Sequence, residues 1–278
     1  MKKNICILIA ASLFSVLSSC RKEPDFVDVM VVTTHPDTTA VTPSNQPKEP
    51  VTTQPEGPTP VTPSFTVSAF TEETEHYKAS VQYPVVSDVK NAAEVNGVIY
   101  DATRSFVMSD LSYTFVGETF GSYEINSVKM SYADDHLLSF VYNGSYYGDC
   151  AAHPIGFIRT LNIDLNAARI ISASEVFADF GKLKIYFESE LFTQVSSGNS
   201  QLDAERAAVN RFDLIGQYRA EYNLYPSVYF VRTTSGVGLT VSTETVYALG
   251  DHIEFVADTE LINDCLSDEI LKLTKGNK

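Results

Sequence analysis

The sequence predicts an α+β fold of mostly antiparallel sheets packed with helices, and two intertwined subdomains fit its order of elements. Two observations carry this. Short runs rich in Tyr, Phe, Val and Thr alternate apolar and polar residues, as half-buried strands do. Between them lie segments whose apolar residues recur every three or four positions, the spacing of one helix face. A third observation bounds the fold. Nine of the twelve prolines lie between Pro24 and Pro63, so the folded part starts near residue 65.

Ser68 to Phe70, and then Ala79, Val81, Tyr83 and Val85, read as strands with period two. Ser87 is placed to cap a helix reaching about Asp110, with Ala92, Val95, Ile99, Ala102 and Phe106 on one face. Residues 111–116, 122–132, 136–147 and 155–165 read as further strands. Asp134-Asp135 and Asn143-Gly144 supply natural turn residues. Ser172-x-x-Glu175 has the form of a capping box. Behind it Val176, Phe180, Leu183, Phe187 and Leu191 make a helical stripe, which Gly181 is placed to divide and Gly198 to stop. A second helix is expected over 201–222, burying Ala208, Phe212, Ile215 and Tyr222. Strands follow near 227–234, 237–243 and 252–257. Ile262, Leu266, Ile270 and Leu273 form a last helical stripe.

The N-terminus reads as an address. Lys2 and Lys3 precede an apolar run from Ile5 to Leu17, too short to span a bilayer comfortably. Leu17-Ser18-Ser19-Cys20 closes it, and a cysteine directly after small residues resembles the lipobox of bacterial lipoproteins. That resemblance implies a diacylglyceryl group on Cys20 and loss of residues 1–19. Residues 20–64 then form a lipidated, Pro/Thr-rich tether, as in Gln54-Pro55-Glu56-Gly57-Pro58-Thr59-Pro60. As a coil its 44 residues after Cys20 would reach roughly 35–40 Å. Phe26 to Val32 is an apolar stretch within it. The expected location is extracytoplasmic, on a bacterial membrane or cell surface, with the membrane engaged through the lipid.

The chain carries 20 basic and 35 acidic residues, a net charge of −15. Removing residues 1–19 takes two lysines and no acid, leaving 18 bases against 35 acids, or −17. Such a surface argues against nucleic acid as a partner and against docking on anionic lipid through a basic patch. It is compatible with a cationic partner.

The remaining chemistry is sparse. Cys150 and Cys265 are the cysteines beyond Cys20, and outside the cytoplasm they form a candidate disulfide. The five histidines, His35, His76, His136, His153 and His252, form no HExxH. No CxxC occurs, so no metal site is expected. Asp149, His153, Asp251 and His252 are the one conceivable polar cluster, with nothing local requiring it. There is no Gly-x-Ser-x-Gly elbow, and Gly236-Val237-Gly238 reads as a hairpin turn rather than a phosphate loop. No pair of carboxylates is marked out for glycoside cleavage. The chain is therefore expected not to be an enzyme and to need no cofactor.

The most informative stretch runs from Tyr142 to Phe177. Tyr146-Tyr147-Gly148-Asp149-Cys150-Ala151-Ala152-His153-Pro154 joins one strand-like run to the next. Leu161-Asn162-Ile163-Asp164-Leu165 and Ile170-Ile171-Ser172-Ala173-Ser174-Glu175-Val176-Phe177 follow. This resembles the extracytoplasmic region shared by RsiV-like lysozyme-sensing anti-sigma factors and the N-terminal part of PdaC-like peptidoglycan deacetylases. The matching positions are Ala152-His153, Asp164 and Phe177. Tyr83-Pro84 and the segment from Tyr247 to Phe255 are also similar. Asp149-Cys150-Ala151 stands where that family has glycines, and Asn166-Ala167-Ala168 where it has Thr-Gly-Lys. The resemblance covers most of 68–266. It implies a PdaC N-terminal-like subdomain over 65–170 and an RsiV C-terminal-like subdomain over 171–278.

The resemblance also bears on function. The deacetylase relatives catalyse with a separate domain, and the anti-sigma relatives need a cytoplasmic segment and a membrane span. The expected role is therefore a non-catalytic envelope module that binds a protein or glycan, such as a lysozyme-like cationic protein or peptidoglycan. The candidate ligand contacts are Tyr146, Tyr147, Asp149 and His153. The alternatives are an accessory envelope module with no soluble ligand and, third, a peptidoglycan-modifying hydrolase.

Overall fold

In the computed structural model, the described residues are 63–114, 121–148, 153–189, 191–244 and 252–275. Residues 1–62, which hold the expected signal segment, Cys20 and nearly all of the expected tether, lie outside the described residues, as do Asp149, Cys150 and Asp251; Ser64, expected to end the tether, instead opens the first strand. The α+β expectation holds: among the described residues there are two sheets and six α-helices.

The first sheet has six strands in chain order: β1 (Ser64–Glu73), β2 (Tyr77–Ser87), β3 (Gly121–Ala133), β4 (Leu137–Gly148), β5 (Ile155–Asp164) and β6 (Arg169–Ile171). Every neighbouring pair is antiparallel except β2 and β3, which run parallel because helix α1 (Ala92–Thr114) carries the chain between them. Helix α1 covers one face of the sheet. Val95, Ile99, Ala102 and Val107 pack there against Ala79, Val81, Tyr123, Phe140, Tyr142 and Leu161.

Two expectations about α1 need correction. Ser87 is the last residue of β2, and its hydroxyl meets Ser64 and Asp88 instead of capping the helix. Asp88 and Asn91, both at φ 59°, turn the chain, and the Asn91 carbonyl receives the first helical bond from Val95. The helix also runs on through residues 111–114, where a strand is expected. Just before this extension Asp110 ties the helix to the sheet. Its carboxylate accepts two bonds from Arg159, at 2.6 and 3.1 Å, and one from Tyr123 at 2.8 Å.

The hairpin turns divide cleanly. At Asp134 one carboxylate oxygen accepts the His136 and Leu137 amides at 2.8 Å, an Asx turn as expected. Asn143-Gly144 is no turn: both residues sit inside β4, opposite Ile158 and Phe157. Gly144 is required by close approach, since a Cβ there would stand 2.2 Å from the Glu124 carbonyl and 2.4 Å from the Phe157 ring.

The second sheet has four strands in the order β7-β10-β9-β8: β7 (Thr193–Gln194), β8 (Ser227–Arg232), β9 (Val237–Glu244) and β10 (His252–Asp258). The tight turn at Gly236, φ 143°, joins β8 to β9, as the hairpin reading requires. Helix α2 (Ala173–Val176) opens with the expected box, the Glu175 carboxylate accepting the Ser172 amide at 2.8 Å. Helix α3 (Phe180–Glu188) starts at the Asp179 cap, so the break falls at 177–179 and Gly181 lies inside the helix.

The expected helix 201–222 is three pieces: α4 (Ser200–Ala207), α5 (Arg211–Gly216) and a 3-10 turn at Ala220–Tyr222. The side chains of Asn199 and Asn210 each accept amides at a new helix start, and these local caps outcompete one continuous helix. Ile215 is buried as expected, but Ala208, Phe212 and Tyr222 are exposed, and Leu214 fills the core instead. Gly198, φ 81°, sits in the turn before α4 and ends no helix. The last stripe, Ile262, Leu266, Ile270 and Leu273, is buried as a set. It spans a 3-10 turn (Asn263–Cys265) and α6 (Asp268–Lys275) instead of one helix.

The core of the second sheet draws on the first. Tyr132, Leu137 and Ile171 pack with Phe187, Phe230, Val241, Phe255 and Leu266. Among the described residues, no helix is long and apolar enough to cross a membrane.

Candidate functional site

The face of the first sheet opposite α1 carries the second sheet. Its outer strand β8 lies across β3, β4 and β5, with its edge amides turned inward where no strand can pair them. Two side chains take the place of a strand. Ser139 on β4 accepts the Phe230 amide at 3.0 Å and donates to the Asn162 amide oxygen at 2.6 Å. Asn162 on β5 donates to the Val228 carbonyl at 2.8 Å. Ser139 and Asn162 are cross-strand partners and both are buried. This clamp ties the edge of the second sheet to the face of the first.

Beside the clamp the sheets diverge into a groove of about 580 Å³, a size that suits a small ligand. Its floor is apolar, made by Val141, Tyr229 and Val231, which cluster with the buried Ile158. One wall comes from β3 and β4, with Lys129, Ser131 and Asn143. The other comes from β8, β9 and β10, with Arg232, Thr240, His252 and Glu254. The register explains the second wall. Residues 252, 254 and 256 alternate with the buried Ile253, Phe255 and Ala257, so period two turns them away from the core.

Three of these groups form a row. The buried Tyr229 hydroxyl donates to the Glu254 carboxylate at 2.8 Å, and the His252 ring nitrogen stands 4.0 Å from the same oxygen. Burial, and then the Glu254 charge, raise the Tyr229 phenol well above its ordinary range. It therefore stays a neutral donor and orients the Glu254 carboxylate at the groove wall. Arg232 lies over the Tyr132 ring at 5.1 Å and donates to the Ala133 carbonyl at 2.6 Å, which fixes its charge at the rim. Lys129 is exposed on the opposite wall. The groove thus offers fixed positive charge, an oriented carboxylate, an amide and hydroxyls over an apolar floor. That set can orient a ligand bearing carboxylates, amides and hydroxyls.

The residues expected to contact a ligand are not gathered into one site. Tyr146 faces the α1 side, in a three-ring stack with Phe157 (6.5 Å) and, beyond it, Tyr123 (4.8 Å from Phe157). Tyr147, next in the strand, points to the opposite face and is 37% exposed. His153 is exposed, with its Nδ1 3.0 Å from the Pro154 carbonyl oxygen. Asp149 lies outside the described residues. Sequence reading missed the groove because its walls come from segments about a hundred residues apart. The one local signal is the alternation His252-x-Glu254-x-Val256.

Among the described residues, no group of three or more His, Cys, Asp or Glu is placed to hold a metal ion. Cys265 is a free thiol, fully buried, donating to the Ile262 carbonyl at 3.0 Å. Its intended disulfide partner Cys150 lies outside the described residues. Burial, reinforced by the Asp264 charge, pushes the Cys265 thiol up to about 12. At pH 8 the thiolate should be scarcer than in an ordinary cysteine by roughly three orders of magnitude. Mass spectrometry of the Cys265 peptide after alkylation should show it unmodified in the native protein and fully modified in denaturant. Rapid native labelling would contradict the burial.

No protein-family model and no curated protein matches the sequence. Solved structures that resemble the fold loosely include two of the DUF3298 family. A member of the DUF3298 family from Bacteroides fragilis aligns over 78% of this chain and 100% of its own, at 15% identity and a TM-score of 0.41. A DUF3298 family protein from Pseudomonas aeruginosa PAO1 aligns over 76% of this chain and 97% of its own, at 11% identity and a TM-score of 0.42.

Proposed function

We propose that this chain is a non-catalytic envelope module, held at the membrane by lipid on Cys20, whose inter-sheet groove binds a peptidoglycan fragment. The observation that carries the reading is the lining of that groove. Lys129 and Arg232 answer carboxylates, while Glu254, Asn143 and Thr240 answer amides and hydroxyls. Peptidoglycan presents these groups together on its sugars and peptide stems. The lipobox-like Leu17-Ser18-Ser19-Cys20 supports the location. The resemblance to modules that lie apart from a catalytic domain supports the non-catalytic role.

The test is calorimetric titration of the full chain with soluble muropeptides, beside sedimentation with purified sacculi. Wild type should bind saturably. Lys129→Glu and Glu254→Gln should each weaken binding about tenfold, or roughly 1.4 kcal/mol, without shifting the melting temperature. Absence of binding, or equal binding by both variants, would overturn the site. Release of acetate or muropeptides from the sacculi would overturn the non-catalytic reading.

The excess of 35 acids over 20 bases favours one second reading, a cationic lysozyme-like protein as ligand. That binding should weaken steeply with salt and be indifferent to both groove variants.

A further inference from the structure

We infer that strand β1 is a self-association edge, through which two copies of the chain join their six-stranded sheets into one. β1 is the outer strand of the first sheet and pairs its full ten residues with β2, Ser64 to Glu73 against Ser87 to Lys78. Among the described residues no strand lies on its other side. Sheet edges in monomeric proteins usually carry an obstacle, such as a bulge, an internal proline or an inward charge. β1 has an unbroken register, no proline, and charges only at its last two residues, Glu72 and Glu73. The other outer edge of the fold's central contact, that of β8, is covered by Ser139 and Asn162. Val67 is 51% exposed in the middle of β1, an apolar side chain with no cross-strand neighbour on its outer side.

The occupant follows from charge and symmetry. A parallel copy would set Glu72 beside Glu72 and Glu73 beside Glu73, and like charges directly opposite destabilise a strand pair. An antiparallel copy carries the acidic ends apart. Its two-fold axis must stand perpendicular to the sheet, so each residue keeps its face in both copies. Directly opposite residues share a face, so the axis must fall on a residue paired with its own copy.

Centred on Ala69, the pairs are Phe65 with Glu73, Thr66 with Glu72, Val67 with Thr71 and Ser68 with Phe70. Centred on Ser68, they are Ser64 with Glu72, Phe65 with Thr71, Thr66 with Phe70 and Val67 with Ala69. Neither register opposes two charges. In both, the acidic end lies against hydroxyl and aromatic residues.

The helices do not prevent the union. α1 packs over β2, and the two β2 strands would be three strand spacings apart, about 14 Å. A helix with its side chains is about 10–12 Å across, so two copies of α1 fit side by side on one face. The second sheet packs over β3, β4 and β5, away from this edge. A contact of one strand pair is small, so the dimer should be weak and concentration-dependent. Anchoring both copies in one membrane would raise their effective concentration.

Sedimentation velocity of the full chain across a hundredfold concentration range tests this. Wild type should shift reversibly from monomer toward dimer. Ala69→Lys, on an exposed position, should stay monomeric throughout, because it sets two like charges at the centre of the joint in either register. Thr233→Lys, on the groove side of the molecule, should associate as wild type does. Unchanged thermal melts would show that all variants are folded. A wild type that stays monomeric across the range, or an Ala69→Lys chain that still dimerises, would overturn the proposal. A dimer equally lost in Thr233→Lys would assign the contact to another face.

Discussion

Gly144→Ala should be the most damaging single substitution on the first sheet, costing about 3 kcal/mol or more. The added methyl would meet the Glu124 carbonyl at 2.2 Å and the Phe157 ring at 2.4 Å. Phe157 sits directly opposite Gly144 on β5 and covers it, with Tyr123 and Tyr146 stacked along its two sides. An aromatic ring lying over a strand glycine is a packing solution that leaves no space for a side chain. The ring could swing away, but the carbonyl belongs to the neighbouring strand β3 and cannot move without opening the ladder. Gly144→Ala with Phe157→Ala should therefore recover little. The measurement is urea denaturation by far-UV circular dichroism. A midpoint within error of wild type for Gly144→Ala, or full recovery in the double variant, would contradict the close approach.

Asn162→Ala should cost about 2–4 kcal/mol. It removes the donor to the Val228 carbonyl and the acceptor for the Ser139 hydroxyl, leaving two buried polar groups without partners. Ser139→Ala should cost about 1–3 kcal/mol by orphaning the Phe230 amide and the Asn162 oxygen. The two losses should not add, because both residues belong to one network: the double variant should be less destabilised than the sum. Additive losses would mean that the two side chains act independently, against the relay. Amide exchange gives a second readout. Protection at Phe230 should fall in Ser139→Ala while the amides joining β9 to β10 keep theirs.

These two positions also show what the sequence makes legible. The strands near 79–85, 122–132, 136–147, 155–165 and 227–257 follow from local alternation, and so does the stripe from Val176 to Phe187. Asp134 announces its turn because an Asx turn is made within four residues. Asn143-Gly144 misleads for an instructive reason. The same glycine that suits a turn also suits a strand crossed closely by a ring, and only the position of Phe157 distinguishes the two. The division of 201–222 escapes periodicity because Asn199 and Asn210 act through their own backbone neighbours. The clamp and the groove escape it entirely. Ser139, Asn162 and Val228 are separated by 23 and 66 residues, and no local pattern records their meeting.

Residues 265–267 close on residues 176–179, at the start of the second half. Phe177 bridges to Leu266, the Ala178 amide bonds the Cys265 carbonyl at 2.9 Å, and the Ser267 amide bonds Val176 at 3.0 Å. These contacts span about ninety residues, whereas β3 to β6 form a meander of immediate neighbours. Loop closure favours near contacts first. The second core therefore cannot be completed until Cys265, Leu266 and Ile270 are in place, while the first sheet needs nothing beyond Ile171. During synthesis the molecule holds a finished half waiting for an unfinished one. The inward edge of β8, exposed until the two halves meet, is the surface most at risk of wrong pairing in that interval.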